Sequence, residues 1–397
     1  MKKLFILLLC VTVSASAYAQ IDSTKGIHFL PITLDEALAK AKVEKKPVLM
    51  QGFASWCHFC EWMKDSVFPD AEVGAFFNSH FICIRMDMEK EGKNLNRVLR
   101  ISNYPTMVYY DFNGEVMHRE AGKKAKETFL QQGKDALDST KQLRTYERKF
   151  KSNTETPEEA MTYFKMLQSA TNDNQSAVNS YLMQIADEKF TAPNSWRVIN
   201  DYFRDVDQPA MMRVMRSRDA LSKLYTADSV DNRILNNYTN ALLLYVQKLD
   251  TMSYKEMCQK LHASKLDLAD KIVAYSELNK LKMQSKWKEY GDAAVVFVEK
   301  YCKDDYRRMN EAAFNCSDKI NDNAILEKAL LWSQAAVKMM DSYKNNQTLA
   351  SLYYKLQHKD DALKTVNHAI TLAKLSALDY KQSTLLKEKI EEMGSEK

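Results

Sequence analysis

An α/β domain followed by an all-helical one is the fold class that this 397-residue sequence predicts. The turn formers are partitioned: seven of nine glycines fall between Gly26 and Gly133, and no proline follows Pro209. Strand-like and helix-like apolar patterns alternate across 29–146, which describes a sheet covered by helices. Beyond that region the pattern is helix after helix, and the length itself calls for at least two domains.

The first twenty residues read as a secretory signal occupying 1–19. Lys2 and Lys3 form a charged start, 4–13 an apolar run, and Ala17-Tyr18-Ala19 a small-residue cleavage site. The run is short of the ~20 apolar residues needed to span a bilayer. Cys10 follows Leu9 rather than the small residue a lipid-attachment cysteine needs, so the predicted mature chain is soluble and exported, periplasmic or extracellular.

The α/β domain is expected over 27–146. Leu34, Ala37, Leu38 and Ala41 have helical spacing, ended by Lys45-Lys46-Pro47. Residues 47–53 form a short apolar run suited to a buried strand, with polar Gln51 out of place in it. Helices follow at 57–67 and 71–77, then a strand at 81–88 and a helix at 95–100. A strand at 106–111, the turn dipeptide Asn113-Gly114 and a returning strand at 115–119 make a hairpin. A helix over 124–137 closes the domain. The charged stretch 147–157 reads as a linker.

Residues 158–397 read as helical throughout. Ala362-Leu363 with Ala369 repeats Ala329-Leu330 with Ala336 at a spacing of 33, and Ala293 opens a looser third copy. A period near 34 is that of helix–turn–helix solenoids. On these residues the segment 290–374 resembles a tetratricopeptide repeat, without that family's Trp near the start or Pro near the end. A helical bundle with chance periodicity is the other reading.

Charge narrows the function classes. There are 57 Lys+Arg and 52 Asp+Glu, and loss of Lys2 and Lys3 leaves 55 cations dispersed along the chain. Nucleic-acid binding needs a concentrated basic face, so no nucleic-acid partner is expected. Six cysteines survive signal removal, too few for a disulfide-stapled scaffold. Cys83 and Cys258 read as buried small residues, and Cys302 with Cys316 could be a structural disulfide.

The close pair Cys57 and Cys60 carries the chemistry. It lies in Trp56-Cys57-His58-Phe59-Cys60, where a strand ends and a helix opens. A thiol at a helix N-terminus meets unpaired N–H donors and the positive end of the dipole, which favour its thiolate. Cys57 at the junction is expected as the exposed nucleophile, and Cys60, one turn on and more shielded, as the resolving thiol. A zinc site would need a second close pair, which the sequence lacks. No metal or cofactor is expected beyond a redox-active Cys57–Cys60 disulfide. An inactive pair is the remaining alternative.

Tyr104-Pro105-Thr106 stands ahead of a strand, 45 residues beyond Cys60. With Trp56, Cys57 and Cys60 it makes the region 29–146 resemble the thioredoxin-fold thiol–disulfide oxidoreductases. The resemblance implies a cis peptide before Pro105, packed near the cysteines, and a Tyr104 backbone offered to substrate. It implies a substrate contact surface from Trp56, His58, Phe59, Tyr104 and Pro105. Two departures stand out. Gln51 occupies the position where the family often has a buried acid that accepts a proton. His58-Phe59 is neither the Gly-Pro of reducing members nor the oxidising pattern, whose His directly precedes the second Cys. A protonated His58 would favour the Cys57 thiolate and Glu61 would oppose it, so the direction of electron flow stays open.

The expected activity is extracytoplasmic disulfide exchange with thiol- or disulfide-containing proteins, served by a redox partner protein. The alternative is an interaction or scaffold protein whose thioredoxin-like domain binds clients with little catalysis.

Overall fold

The computed structural model describes residues 26–393 apart from 172 and 265, so the predicted signal 1–19, with Cys10, lies outside the described residues. The chain divides into two compact units, one running through Phe203 and the other from Arg204 onward.

In the first unit the strands are β1 (Phe29–Leu30), β2 (Val48–Phe53), β3 (Ile82–Asp87), β4 (Thr106–Tyr110) and β5 (Val116–Ala121). They form one sheet in the order β1-β3-β2-β4-β5. β3 pairs parallel with β1 and β2, and β4 runs antiparallel to β2 and β5. The β4–β5 hairpin turns at Gly114, whose φ of 89° suits a residue without Cβ.

Alternation along each strand splits the core in two. Val48 and Met50 of β2, with Ile82 and Ile84 of β3, face Ala37 and Ala41 of α1 (Leu34–Glu44) and Leu95 and Leu99 of α4 (Lys93–Leu99). Leu49 and Cys83 face the other way, onto α2 (His58–Ser66), α3 (Ala71–His80) and α5 (Lys126–Leu137). There Phe77 of α3 stacks on Phe129 of α5 with centroids 4.3 Å apart. Both are fully buried, and each such ring contributes ~1.5–3 kcal/mol of transfer free energy. Helix starts are locally encoded: Thr33 and Glu36 form a reciprocal capping box on α1, and Asp70 accepts from the Glu72 and Val73 amides of α3.

The expected linker 147–157 is not where the compact units divide. A helix α6 (Leu143–Lys151) occupies its first half, followed by a short turn into α7 (Pro157–Thr171). Thr156 accepts from the Glu159 amide while Glu159 accepts from the Thr156 amide, which caps α7. The charge of α6 conceals a thin apolar edge, Leu143, Tyr146 and Phe150, at helical spacing. Phe150 meets Tyr163 and Phe164 of α7 at 5.0 and 5.9 Å. α8 (Gln175–Gln184) and α9 (Pro193–Asp201) complete the unit.

The second unit is helical, with α10 (Pro209–Arg216) and α11 (Arg218–Tyr225) separated at Ser217. It continues with α12 (Ala227–Gln247), α13 (Thr251–Ala263), α14 (Ala269–Met283), α15 (Trp287–Tyr301), α16 (Tyr306–Lys319), α17 (Asn323–Met339), α18 (Tyr343–Lys355), α19 (Lys359–Leu375) and α20 (Lys381–Glu392). From α15 onward each helix packs on the next, and α15 also touches α17, α16 touches α18 and α18 touches α20. The repeated alanines Ala329, Ala336, Ala362 and Ala369 are all fully buried on α17 and α19. Cys302 and Cys316 are both buried free thiols rather than a disulfide. Among the described residues no helix is long and apolar enough to cross a membrane.

Candidate functional site

β2 delivers the chain to the site and α2 receives it. Cys57 is the N-cap of α2, and its Sγ accepts from the Cys60 amide at 3.1 Å. Its own amide donates to the Ala54 carbonyl at 3.0 Å, which fixes the approach to the helix. Cys57 and Cys60 are joined as a disulfide with Cα atoms 5.2 Å apart. The amide aimed at Sγ would stay with the sulfur on reduction and favour its thiolate. Cys60 is wholly buried and Cys57 is 4% exposed. Cys57 is therefore the more accessible of the two, but it is recessed where the sequence suggested an exposed thiol.

The reason is the surrounding wall. Tyr104 packs on the cysteine pair beside Ala54, and the Tyr104–Pro105 peptide is cis. The Tyr104 ring meets Trp56 edge-on at 5.9 Å. Its hydroxyl accepts from the Asn96 side chain at 2.7 Å, and Asn96 also donates to the Met88 carbonyl at 3.1 Å. Trp56 donates from Nε1 to Glu89 at 2.8 Å while remaining largely exposed. The Gly122 amide donates to the Pro105 carbonyl at 2.8 Å, tying the end of β5 to the same loop.

These segments enclose an open cleft of about 630 Å³. His58 and Phe59 line it beside Trp56 and Cys57, and Lys123 lies 5.7 Å from the Phe59 ring centroid and 4.0 Å from that of Trp62. The far wall is Gln168 and Ser169 of α7. Trp56, Cys57, Cys60, His58, Phe59, Tyr104 and Pro105 are thus gathered at one end of the sheet. Asn96, Glu89, Lys123, Gln168 and Ser169 are additions. Gly122 signals Lys123, but no local signal marks α7, more than a hundred residues from Cys57.

Beneath the pair, Gln51 is fully buried and accepts from Arg85 Nε at 2.6 Å, while its Nε2 has no partner. An amide held as an acceptor by a guanidinium cannot serve as a proton sink. Lys64, 2.8 Å away, holds the Glu61 carboxyl below its ordinary range, so this acid is already paired. Burial pushes the Cys83, Cys302 and Cys316 thiols up to about 12, which leaves them inert as nucleophiles.

A family model named Thioredox_DsbH, described as "Protein of unknown function, DUF255", matches residues 10–103. The mouse spermatogenesis-associated protein 20 is 40% identical over 55 residues, 14% of this chain and 7% of that protein. The thiol:disulfide interchange protein DsbD of Ralstonia nicotianae is 29% identical over 131 residues, 31% of this chain and 21% of that protein. The chain therefore spans a small fraction of the length of these two curated relatives. A solution structure of a candidate disulphide-isomerase from Bacteroides thetaiotaomicron is 35% identical, covering 29% of this chain and 97% of that one, with a TM-score of 0.28. Sheet order, Cys57–Cys60 at a helix start, the cis-Pro105 loop and the family match mark this region as a thioredoxin-like domain of the thiol–disulfide oxidoreductase type.

Proposed function

We propose that the protein exchanges disulfides with protein clients outside the cytoplasm, with Cys57 as nucleophile and Cys60 as resolving thiol. The observation that carries this reading is the Cys57 sulfur capping α2 at the floor of a cleft bounded by the cis-Pro105 loop. In the reducing direction, the Cys57 thiolate attacks a client disulfide. A Cys57–client disulfide forms, and the displaced client thiolate takes a proton. Cys60 then gives up its proton and attacks the Cys57 sulfur, which expels the second client thiol. Two electrons pass to the client and the Cys57–Cys60 disulfide is restored. The reverse sequence oxidises a client dithiol.

Trp56, His58, Phe59, Tyr104 and Pro105 form the client contact surface. The apolar signal-like start of the sequence supports export. The packing of α16 to α20 as successive helices supports the tetratricopeptide-like reading, in which the second unit recruits a partner protein or positions a client.

Two measurements test the reading. Cys57→Ser is expected to reduce client exchange to background, whereas Cys60→Ser is expected to accumulate the mixed disulfide, detected by mass spectrometry. If Cys57→Ser left function intact, the protein would be a binding scaffold. The reduction potential sets direction: near −270 mV the pair is a reductase, near −120 mV an oxidant.

A further inference from the structure

The first helical hairpin after the thioredoxin-like domain belongs to the redox site. α6 is fixed to β5 where the Leu143 amide donates to His118 Nδ1 at 3.2 Å, and where Arg144 reaches Asp111 at 2.5 Å and Glu115 at 3.3 Å beside the hairpin turn. Phe150 then locks α6 to α7, and Lys149 pairs with Glu159. At the other end of α7 the Ser102 hydroxyl donates to the Thr171 carbonyl at 3.2 Å, two residues before the cis-Pro105 loop begins at Tyr104. α7 is held at both ends, and between those ends Gln168 and Ser169 face the cleft.

We propose that Gln168 and Ser169 are specificity-determining residues: α7 closes one side of the cleft, so that a client reaches Cys57 as an extended, flexible segment and folded convex surfaces are turned away. This rests on the exchange activity proposed above. Without α7, the disulfide would face solvent between the Trp56 shelf and the Tyr104 loop, open to a broad surface. With it, Cys57 lies at the base of a slot walled by α2, the Tyr104 loop, the Gly122–Lys123 turn and α7. A single chain threads such a slot. A folded domain whose disulfide is flush with its surface cannot bring its sulfur to Cys57 without breaking the wall. The slot is aromatic and basic, with Trp56, Phe59 and Tyr104 beside Lys123 and no carboxylate among its lining residues. An extended segment bearing an acidic residue next to its cysteine is the best match.

The test uses the full chain with three disulfide probes: oxidised dithiothreitol, an unfolded peptide with one disulfide, and a stably folded protein with a surface disulfide. Wild type is expected to favour the peptide over the folded protein. Ser169→Trp is expected to lower the peptide-to-dithiothreitol ratio of kcat/KM by about tenfold, mainly through KM. Gln168→Ala with Ser169→Ala is expected to raise the folded-protein-to-peptide ratio several-fold. If both ratios stay at wild-type values while all three probes react, the wall has no role and the inference fails. If wild type exchanges with none of the probes, the proposed activity itself fails. A Ser169→Trp chain that lost its fold would show it by circular dichroism, and the paired alanine variant would then decide.

Discussion

Cys57 combines two features in one atom: its sulfur caps a helix and is the nucleophile of the proposed exchange. Such a thiol is set apart from the other cysteines by surroundings rather than by exposure alone. Cys83, Cys302 and Cys316 are buried with their thiols pushed up to about 12. After mild reduction of the native protein, iodoacetamide is therefore expected to label Cys57 first and to leave those three unmodified until denaturant is added, as read by peptide mass spectrometry. Labelling of Cys83 at a comparable rate in the folded chain would contradict the burial described. At this scale the sequence was informative where residues lie close together. Trp56, Cys57 and Cys60 are adjacent, and Pro105 announces itself by starting a strand. Asn96, which holds the Tyr104 hydroxyl, and Glu89, which holds Trp56, have no such mark, because their partners are set by how α4 and the β3–α4 turn come back to the site.

At the scale of elements, apolar periodicity found every strand of the sheet except the two-residue β1, too short to show a period. It also found α1, whose apolar spacing stops at Lys45-Lys46-Pro47, while the Thr33–Glu36 capping box that starts it is seen in the structure. It failed at α6, whose three apolar residues are outnumbered by charges that belong to its solvent side. Close approaches were likewise invisible. A Cβ on Gly133 of α5 would come within 2.6 Å of Phe76 and 2.8 Å of Phe77, rings of α3 that have little room, since Phe77 is stacked on Phe129. Gly133→Ala ought to gain ~1 kcal/mol of helix propensity. It is instead expected to destabilise the protein by a net ~1–3 kcal/mol through overpacking, measured as a shift in the urea midpoint. A stabilised variant would mean that the α3–α5 contact yields easily.

For the whole molecule, buried acids in their neutral form set the alkaline limit. The thiols of Cys83, Cys302 and Cys316 are raised from 9.0 to about 12, and burial raises the Tyr110 and Tyr163 phenols from 10.0 to about 12. Below pH 9 both folded and unfolded chains keep these protons and stability is flat in pH. Between 9 and 12 the unfolded chain releases protons that the fold retains, so stability falls. Urea midpoints are expected to hold steady up to pH ~9 and to drop between pH ~9 and ~12, and Cys83→Ala is expected to flatten the slope for the unit that holds it. A midpoint that rose over that interval would overturn the assignment. The existence of two units of different kind was legible from glycine and proline alone. Their division at 203–204 was not, because α6 to α9 share the helical pattern of the second unit while packing into the first.

That division bears on heredity. The family match ends at residue 103, one residue short of Tyr104 and well short of Gln168. A recombination event joining a new tail within 147–157 would transmit the cysteine pair intact but discard the helix facing it. One joining after Phe203 would pass on both. If the wall selects clients as proposed, a fusion that kept residues 26–203 together would keep its client range, and one cut earlier would carry the same two cysteines without it.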